Sequence, residues 1–153
     1  MSRAFVKEQD DAIEPVLERP VSPHPNYVTD RGLAQIDEAL AHAQSDHAKA
    51  QAADDREATA SAARELHYWQ QRRASAQLIP PPPDNETVHF GSTVTIERND
   101  GRRQTWRIVG EDEADPAHGT LSYVSPVARA LTGHKAGEVV QAGNSEAEII
   151  AIE

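Results

Sequence analysis

The chain has 153 residues, with 25 Asp and Glu against 15 Lys and Arg, a formal net charge of −10, and no cysteine. This length allows one ordinary domain or two small units sharing a modest core. Both halves are acidic, which excludes a broad basic surface for sequence-independent nucleic-acid binding. The missing thiols exclude disulfides, thiolate catalysis and Cys-ligated zinc.

The start, Met1 to Glu8, holds no apolar core of signal-peptide length, and no window reaches the length of a membrane span. The expectation is a soluble cytoplasmic protein with no membrane partner. Residues 1–27 carry Pro15, Pro20, Pro23 and Pro25 among charged residues and read as a Pro-rich arm, too polar and too interrupted to sustain a helix. Its one candidate anchor is the pair of apolar steps Ala12-Ile13 and Val16-Leu17.

Residues 28–78 read as an antiparallel coiled-coil hairpin. Thr29 is a good N-cap and Asp30 sits where a helix dipole favours an anion. Leu33, Ile36, Leu40, Ala43, His47 and Ala50 then recur at spacings of three and four. Thr59, Ala62, Leu66, Trp69, Arg73 and Ala76 form a second such seam. The large residues of both seams lie at the base, so the far end, lined by Ala, Thr and His, is expected to fray first. Roughly 22 residues per arm would project about 33 Å at 1.5 Å per residue. The seams are short and suit pairing within one chain, so the expected state is a monomer.

Pro80 to Pro83 stop the helix, and residues 79–87 read as a Pro-rich linker. Beyond it, residues 88–153 alternate as strands at Ser92 to Arg98, Gln104 to Val109, Thr120 to Val124, Glu138 to Gln141 and Ala147 to Ile152. The first two are joined by the turn-forming Asn99-Asp100-Gly101. Pro126 suits the first turn of a short helix capped by Ser125 and ended by Gly133. The fold class is α+β: a helical hairpin, then a mainly antiparallel sheet with one short helix.

Three stretches carry a resemblance. Tyr27-Val-Thr-Asp-Arg-Gly-Leu-Ala-Gln-Ile-Asp-Glu-Ala-Leu40 opens the first helix. Ser75-Ala-Gln-Leu-Ile79 leads to Val88-His-Phe-Gly-Ser-Thr-Val-Thr95. Residues 105–140 include Arg107-Ile-Val-Gly-Glu-Asp-Glu-Ala-Asp115 and Ser125-Pro-Val-Ala-Arg-Ala-Leu131. In this order they resemble the Gre transcript-cleavage and elongation factors of bacterial RNA polymerase.

The resemblance implies an FKBP-like C-terminal domain that docks at the rim of the secondary channel of core RNA polymerase, with the hairpin reaching inward. RNA and DNA would be met only within the elongation complex. It further implies that carboxylates at the hairpin tip help hold magnesium in the polymerase active centre, where the polymerase itself hydrolyses backtracked RNA. The protein would be an accessory factor, not an enzyme, and would bind no cofactor alone. By position, the tip residues are Asp54, Asp55 and Glu57. The family's own tip pattern, Gly-Asp-Leu followed by Glu-Asn-Ala-Glu-Tyr, is absent from residues 41–65, and the arms are shorter than the family's.

Several readings stay open on the residues alone. Asp54 and Asp55 are either a magnesium-holding tip or a cap for the second helix, with Glu57 complementing its dipole. Glu111, Asp112, Glu113 and Asp115 are either a solvated acidic corner or a cation site; Glu113 and Asp115 are also candidate partner contacts. Val124, Ser125 and Pro126 are either a capped helix start or part of the face turned toward polymerase. Arg56, Arg64, Arg72 and Arg73 either meet a partner or line solvated helix faces, and Tyr68 with Trp69 reads as a contact between hairpin and sheet domain. The seven histidines show no metal-ligand spacing.

Alternative functions follow. A non-cleaving channel competitor would resemble the short-armed regulator of nucleoside diphosphate kinase. A peptidyl-prolyl isomerase would need more aromatics than Phe90, Trp106 and Tyr123. A coiled-coil adapter would need heptads continuing in trans.

Overall fold

The computed structural model describes residues 18–153; the apolar steps Ala12-Ile13 and Val16-Leu17 lie outside them. Strand β1 (Tyr27–Val28) leads into helix α1 (Asp30–Ala52), whose N-cap Thr29 accepts from Gly32 N at 3.0 Å. After a tight turn, Asp55 caps helix α2 (Arg56–Ser75) by accepting from Ala58 N at 3.0 Å. Helix α2 hands the chain to strand β2 (Gln77–Leu78), which pairs parallel with β1 in the register Tyr27 to Gln77 and Val28 to Leu78. The chain therefore enters and leaves the hairpin through one two-stranded clasp.

Within the hairpin, Ile36 and Ala43 are buried, and Leu33, Leu40, Leu66 and Trp69 are half-buried. The buried positions of α2 are Tyr68 and Arg72, one residue before the Trp69 and Arg73 of the seam. Helix α2 has two neighbours, and its deepest face turns toward the sheet domain rather than along α1. Arg73 stays exposed and bridges the helices through Asp37 at 2.6 Å. Beyond Ala43 no residue of α1 is buried; Ala side chains bring little apolar area out of water, and the distal half gains correspondingly little.

The second unit is a five-stranded sheet in the order β5-β4-β3-β7-β6. Its strands are β3 (Thr93–Arg98), β4 (Arg103–Val109), β5 (Thr120–Ser122), β6 (Val139–Ala142) and β7 (Ser145–Ile152). Period-two alternation sends Val94 and Ile96 of β3, and Ala147 and Ile149 of β7, into one core. Helix α3 (Pro126–Leu131), capped by Ser125, closes that core with Ala128 and Leu131. Gly101 takes φ 86° in the β3–β4 turn, where a side chain would be strained.

The expected α+β arrangement is present, with one departure inside the sheet. β5 runs parallel to β4, not antiparallel, pairing Arg107 with Thr120 and Val109 with Ser122. Residues 110–119 leave the end of β4 and loop back through a 3-10 turn at Pro116–His118 to bring Thr120 opposite Arg107. The strand must then re-enter in the same direction, because a tight hairpin cannot reverse that path.

Candidate functional site

The first functional feature is the root of the hairpin, where the stretch around residues 107–115 meets the stretch around residues 26–36. Arg72 is 1% exposed. Its Nε donates to Asp112 Oδ2 at 2.6 Å, and its Nη2 donates to Asn26 Oδ1 at 2.7 Å. Asn26 returns a bond from Nδ2 to the Arg72 carbonyl at 2.7 Å. The Tyr68 hydroxyl donates to Asp112 Oδ1 at 2.5 Å, so both oxygens of that carboxylate are held by α2. Burial, followed by the Asp112 hydrogen bond, pushes the Tyr68 phenol up to about 12. Arg72 at this depth is paired and hydrogen-bonded, the condition for burying an ion.

Glu113 completes the joint on the other helix. It is 9% exposed and accepts from Thr29 Oγ1 at 2.5 Å, beside the N-terminus of α1 where a carboxylate is favoured. Two glycines admit this approach. A Cβ on Gly32 would lie 2.8 Å from Glu113 Oε1, and one on Gly110 would lie 2.2 Å from the Tyr27 carbonyl oxygen. Neither position tolerates a side chain without displacing the joint. The sequence motifs Thr-Asp-Arg-Gly and Val-Gly-Glu-Asp-Glu are thus two halves of one structural contact.

These observations correct two readings. Asp112 and Glu113 are not a solvated corner: both face inward and are bonded to helix side chains, while Glu111 beside them is half-buried and accepts from Ser22 Oγ. Arg72 belongs to neither a solvated helix face nor an outward basic patch. Tyr68 does join hairpin to sheet domain, whereas Trp69 stacks edge-on against Tyr68 with ring centroids 4.9 Å apart. Asp115 is exposed and braces its own loop, accepting from His118 Nδ1 if that nitrogen is protonated, at 2.6 Å. The sequence alone marks neither Asn26 nor Arg72 as a joint. The signal was present in Tyr68 and Arg72, one helical turn apart, opposite an acidic run that needed a cation.

The second feature is the tip. Asp54, Asp55 and Glu57 are exposed at the end of the hairpin. Asp54 adopts φ 54°, in the left-handed region, and makes the turn. Asp55 has one carboxylate oxygen occupied as the cap of α2, and Glu57 lies in the first turn of that helix. Among the described residues no three His, Cys, Asp or Glu side chains converge to hold a metal ion.

The third feature is the loop from β5 into α3. Val124 and Ser125 are half-buried and Pro126 is exposed. Beside Val124 opens a cleft of about 460 Å³ lined by Tyr27, Phe90, Ile108, Tyr123 and Arg129. Its three aromatic rings touch: Tyr27 lies 5.2 Å from Tyr123 and 6.1 Å from Phe90, and Phe90 lies 5.7 Å from Tyr123. Tyr27 comes from β1, far away in sequence. Of the candidate partner residues only Val124 lines this cleft; Ser125 caps α3 and Pro126 opens it, while Glu113 and Asp115 have the other partners described above.

The similarities to known proteins fall mainly on the sheet domain. The family model described as transcription elongation factor, GreA/GreB, C-term matches residues 83–153. Transcription elongation factor GreA of Rhodopseudomonas palustris is 50% identical over 70 residues, which is 43% of this chain and 44% of that protein. GreA of Thermomicrobium roseum is 56% identical over 57 residues, covering 37% and 36%. GreB of Neisseria meningitidis is 43% identical over 72 residues, covering 44% of each. The chain spans less than half the length of these relatives. The crystal structure of GreA factor homolog 1 of Thermus thermophilus covers 85% of this chain and 99% of its own, at 21% identity and a TM-score of 0.42.

Proposed function

We propose that this protein, whose residues 83–153 match the family model of the GreA/GreB C-terminal domain, binds core RNA polymerase through that domain at the rim of the secondary channel, directs its hairpin inward and modulates elongation. The observation that carries this reading is the Arg72–Asp112 joint, which roots a projecting two-helix arm in a domain of GreA/GreB type. At 1.5 Å of rise per residue, the 23 residues of α1 extend about 34 Å. The docking face is the loop Val124, Ser125 and Pro126 with the aromatic cleft that Val124 lines. A formal charge of −10 argues that the polymerase, not this chain, supplies the field that holds nucleic acid.

Co-sedimentation with core RNA polymerase tests the reading. Binding at low ionic strength, weakened by Pro126→Glu and Val124→Glu, is the expected result. A protein that fails to co-sediment even at low salt sinks the proposal.

The tip favours the non-cleaving form of this function, because residues 41–65 lack the Gly-Asp-Leu and Glu-Asn-Ala-Glu-Tyr tip pattern of the factors this chain resembles and the arms are shorter. The protein then acts by occupying the channel in competition with other factors. A backtracked elongation complex incubated with the protein and magnesium should yield no more shortened RNA than the complex alone. If cleavage is stimulated, the non-cleaving form is wrong, and replacing Asp54 and Asp55 together with alanine must abolish the effect for the tip carboxylates to be its source.

A further inference from the structure

We propose that residues 18–26 form a strap that fixes the angle between the hairpin and the sheet domain, with Arg19 as its positioning residue. The Arg19 guanidinium carbon lies 3.7 Å from the centre of the Tyr68 ring and 5.4 Å from that of Trp69. Its Nη1 donates to Glu65 Oε2 at 2.9 Å. A planar cation stacked on an aromatic face and paired at its edge is held in one orientation, which an ammonium on a flexible stem would not be. The other end of the strap grips the sheet domain: Ser22 Oγ donates to Glu111 Oε1 at 2.9 Å, and the Pro25 carbonyl accepts from the Tyr123 hydroxyl. Asn26 then joins Arg72 at the joint itself.

The geometry of support gives these contacts their consequence. The Arg72–Asp112 and Thr29–Glu113 contacts both sit at the root of the hairpin, so a stiff arm held there alone can rock about it. Glu65 lies seven residues before Arg72 on the same helix, about 10 Å along its axis. A second attachment at that distance converts the pivot into a two-point mounting. Pro20, Pro23 and Pro25 fix φ at three positions between the attachments, so a displacement of one end is transmitted to the other rather than absorbed. The strap rests on contacts within the chain and does not depend on the polymerase reading.

The absence of cysteine makes the test direct. Cysteines introduced at Glu57, near the tip, and at Arg102, in the β3–β4 turn, take spin labels in the full chain, and pulsed dipolar spectroscopy reads the distribution of distances between them. The parent should give one narrow distribution. Arg19→Ala should broaden it roughly twofold with helix content unchanged by circular dichroism, and Arg19→Lys should give an intermediate width. Asp37→Ala removes an exposed ion pair inside the hairpin and should leave the width as it was. An Arg19→Ala distribution that superimposes on the parent, or equal broadening by Asp37→Ala, overturns the strap.

Discussion

The two ends of one hairpin are built by opposite means. At the root, Arg72, Asp112, Tyr68, Asn26, Thr29 and Glu113 are bonded in a network withdrawn from water. At the tip, Asp54, Asp55 and Glu57 stand in solvent on a turn flanked by alanines. A single side chain lost from the root leaves an ion without its partner in a low-dielectric site, whereas one lost from the tip exposes nothing that was hidden. An arm that acts at a distance needs this division: stiffness where it is mounted and chemical freedom where it ends.

The largest expected effect tests the root. Arg72→Ala strands Asp112 beside Tyr68 and should destabilise the protein by about 3 kcal/mol, the range for breaking a buried pair by removing one member. The midpoint of urea unfolding measures this. Replacing both partners, Arg72→Met with Asp112→Leu, should recover most of the loss, because no uncompensated charge is left behind. If the double replacement costs as much as the sum of the single ones, the pair is not coupled and the contrast with the tip loses its basis.

The next effect is smaller and is read through pH. Tyr68 keeps its phenolic proton up to about 12 in the folded protein, against the usual value of 10.0. Above the ordinary value the unfolded chain releases that proton while the folded chain retains it, so stability must fall as pH rises. The contribution is intact below about pH 10 and is lost progressively as pH climbs toward about 12. Burial raises the phenol of Tyr123 as well, so the comparison must be with Tyr68→Phe. Urea midpoints measured from roughly pH 9 upward should decline less steeply in Tyr68→Phe; equal slopes would mean that Tyr68 is not held by the joint.

This contrast also divides what the sequence disclosed from what it concealed. Local chemistry announced the elements: Thr29, Asp55 and Ser125 cap the three helices, and alternation marked the strands of the sheet. Those signals depend on residues within a turn or two of each other. The parallel entry of β5 and the clasp of β1 with β2 depend on where residues 110–119 and 76 travel in space, which no period records. The acidic run at 111–113 looked like solvated surface because its partners, Arg72, Tyr68 and Thr29, lie 40 or more positions away. The aromatic cleft was hidden for the same reason, since Tyr27 reaches Phe90 and Tyr123 only through the fold.

The smallest effects belong to the tip, and there the two adjacent aspartates should respond unequally. Asp55→Ala removes the side-chain acceptor for Ala58 N and should cost about 1 kcal/mol, typical of a lost N-cap. Asp54→Gly relieves a left-handed conformation at φ 54° but adds freedom to the unfolded chain, so the two terms offset to within about 0.5 kcal/mol. Neither change should alter the alkaline slope attributed to Tyr68, because the tip shares no partner with the root. Amide hydrogen exchange locates the response. Asp55→Ala should speed exchange in the first turns of α2 and leave the amides of β3 and β7 at their parent rates. Faster exchange throughout the sheet would show that the hairpin unfolds as one piece with the domain that carries it, and the division between a stiff root and a free tip would then fail.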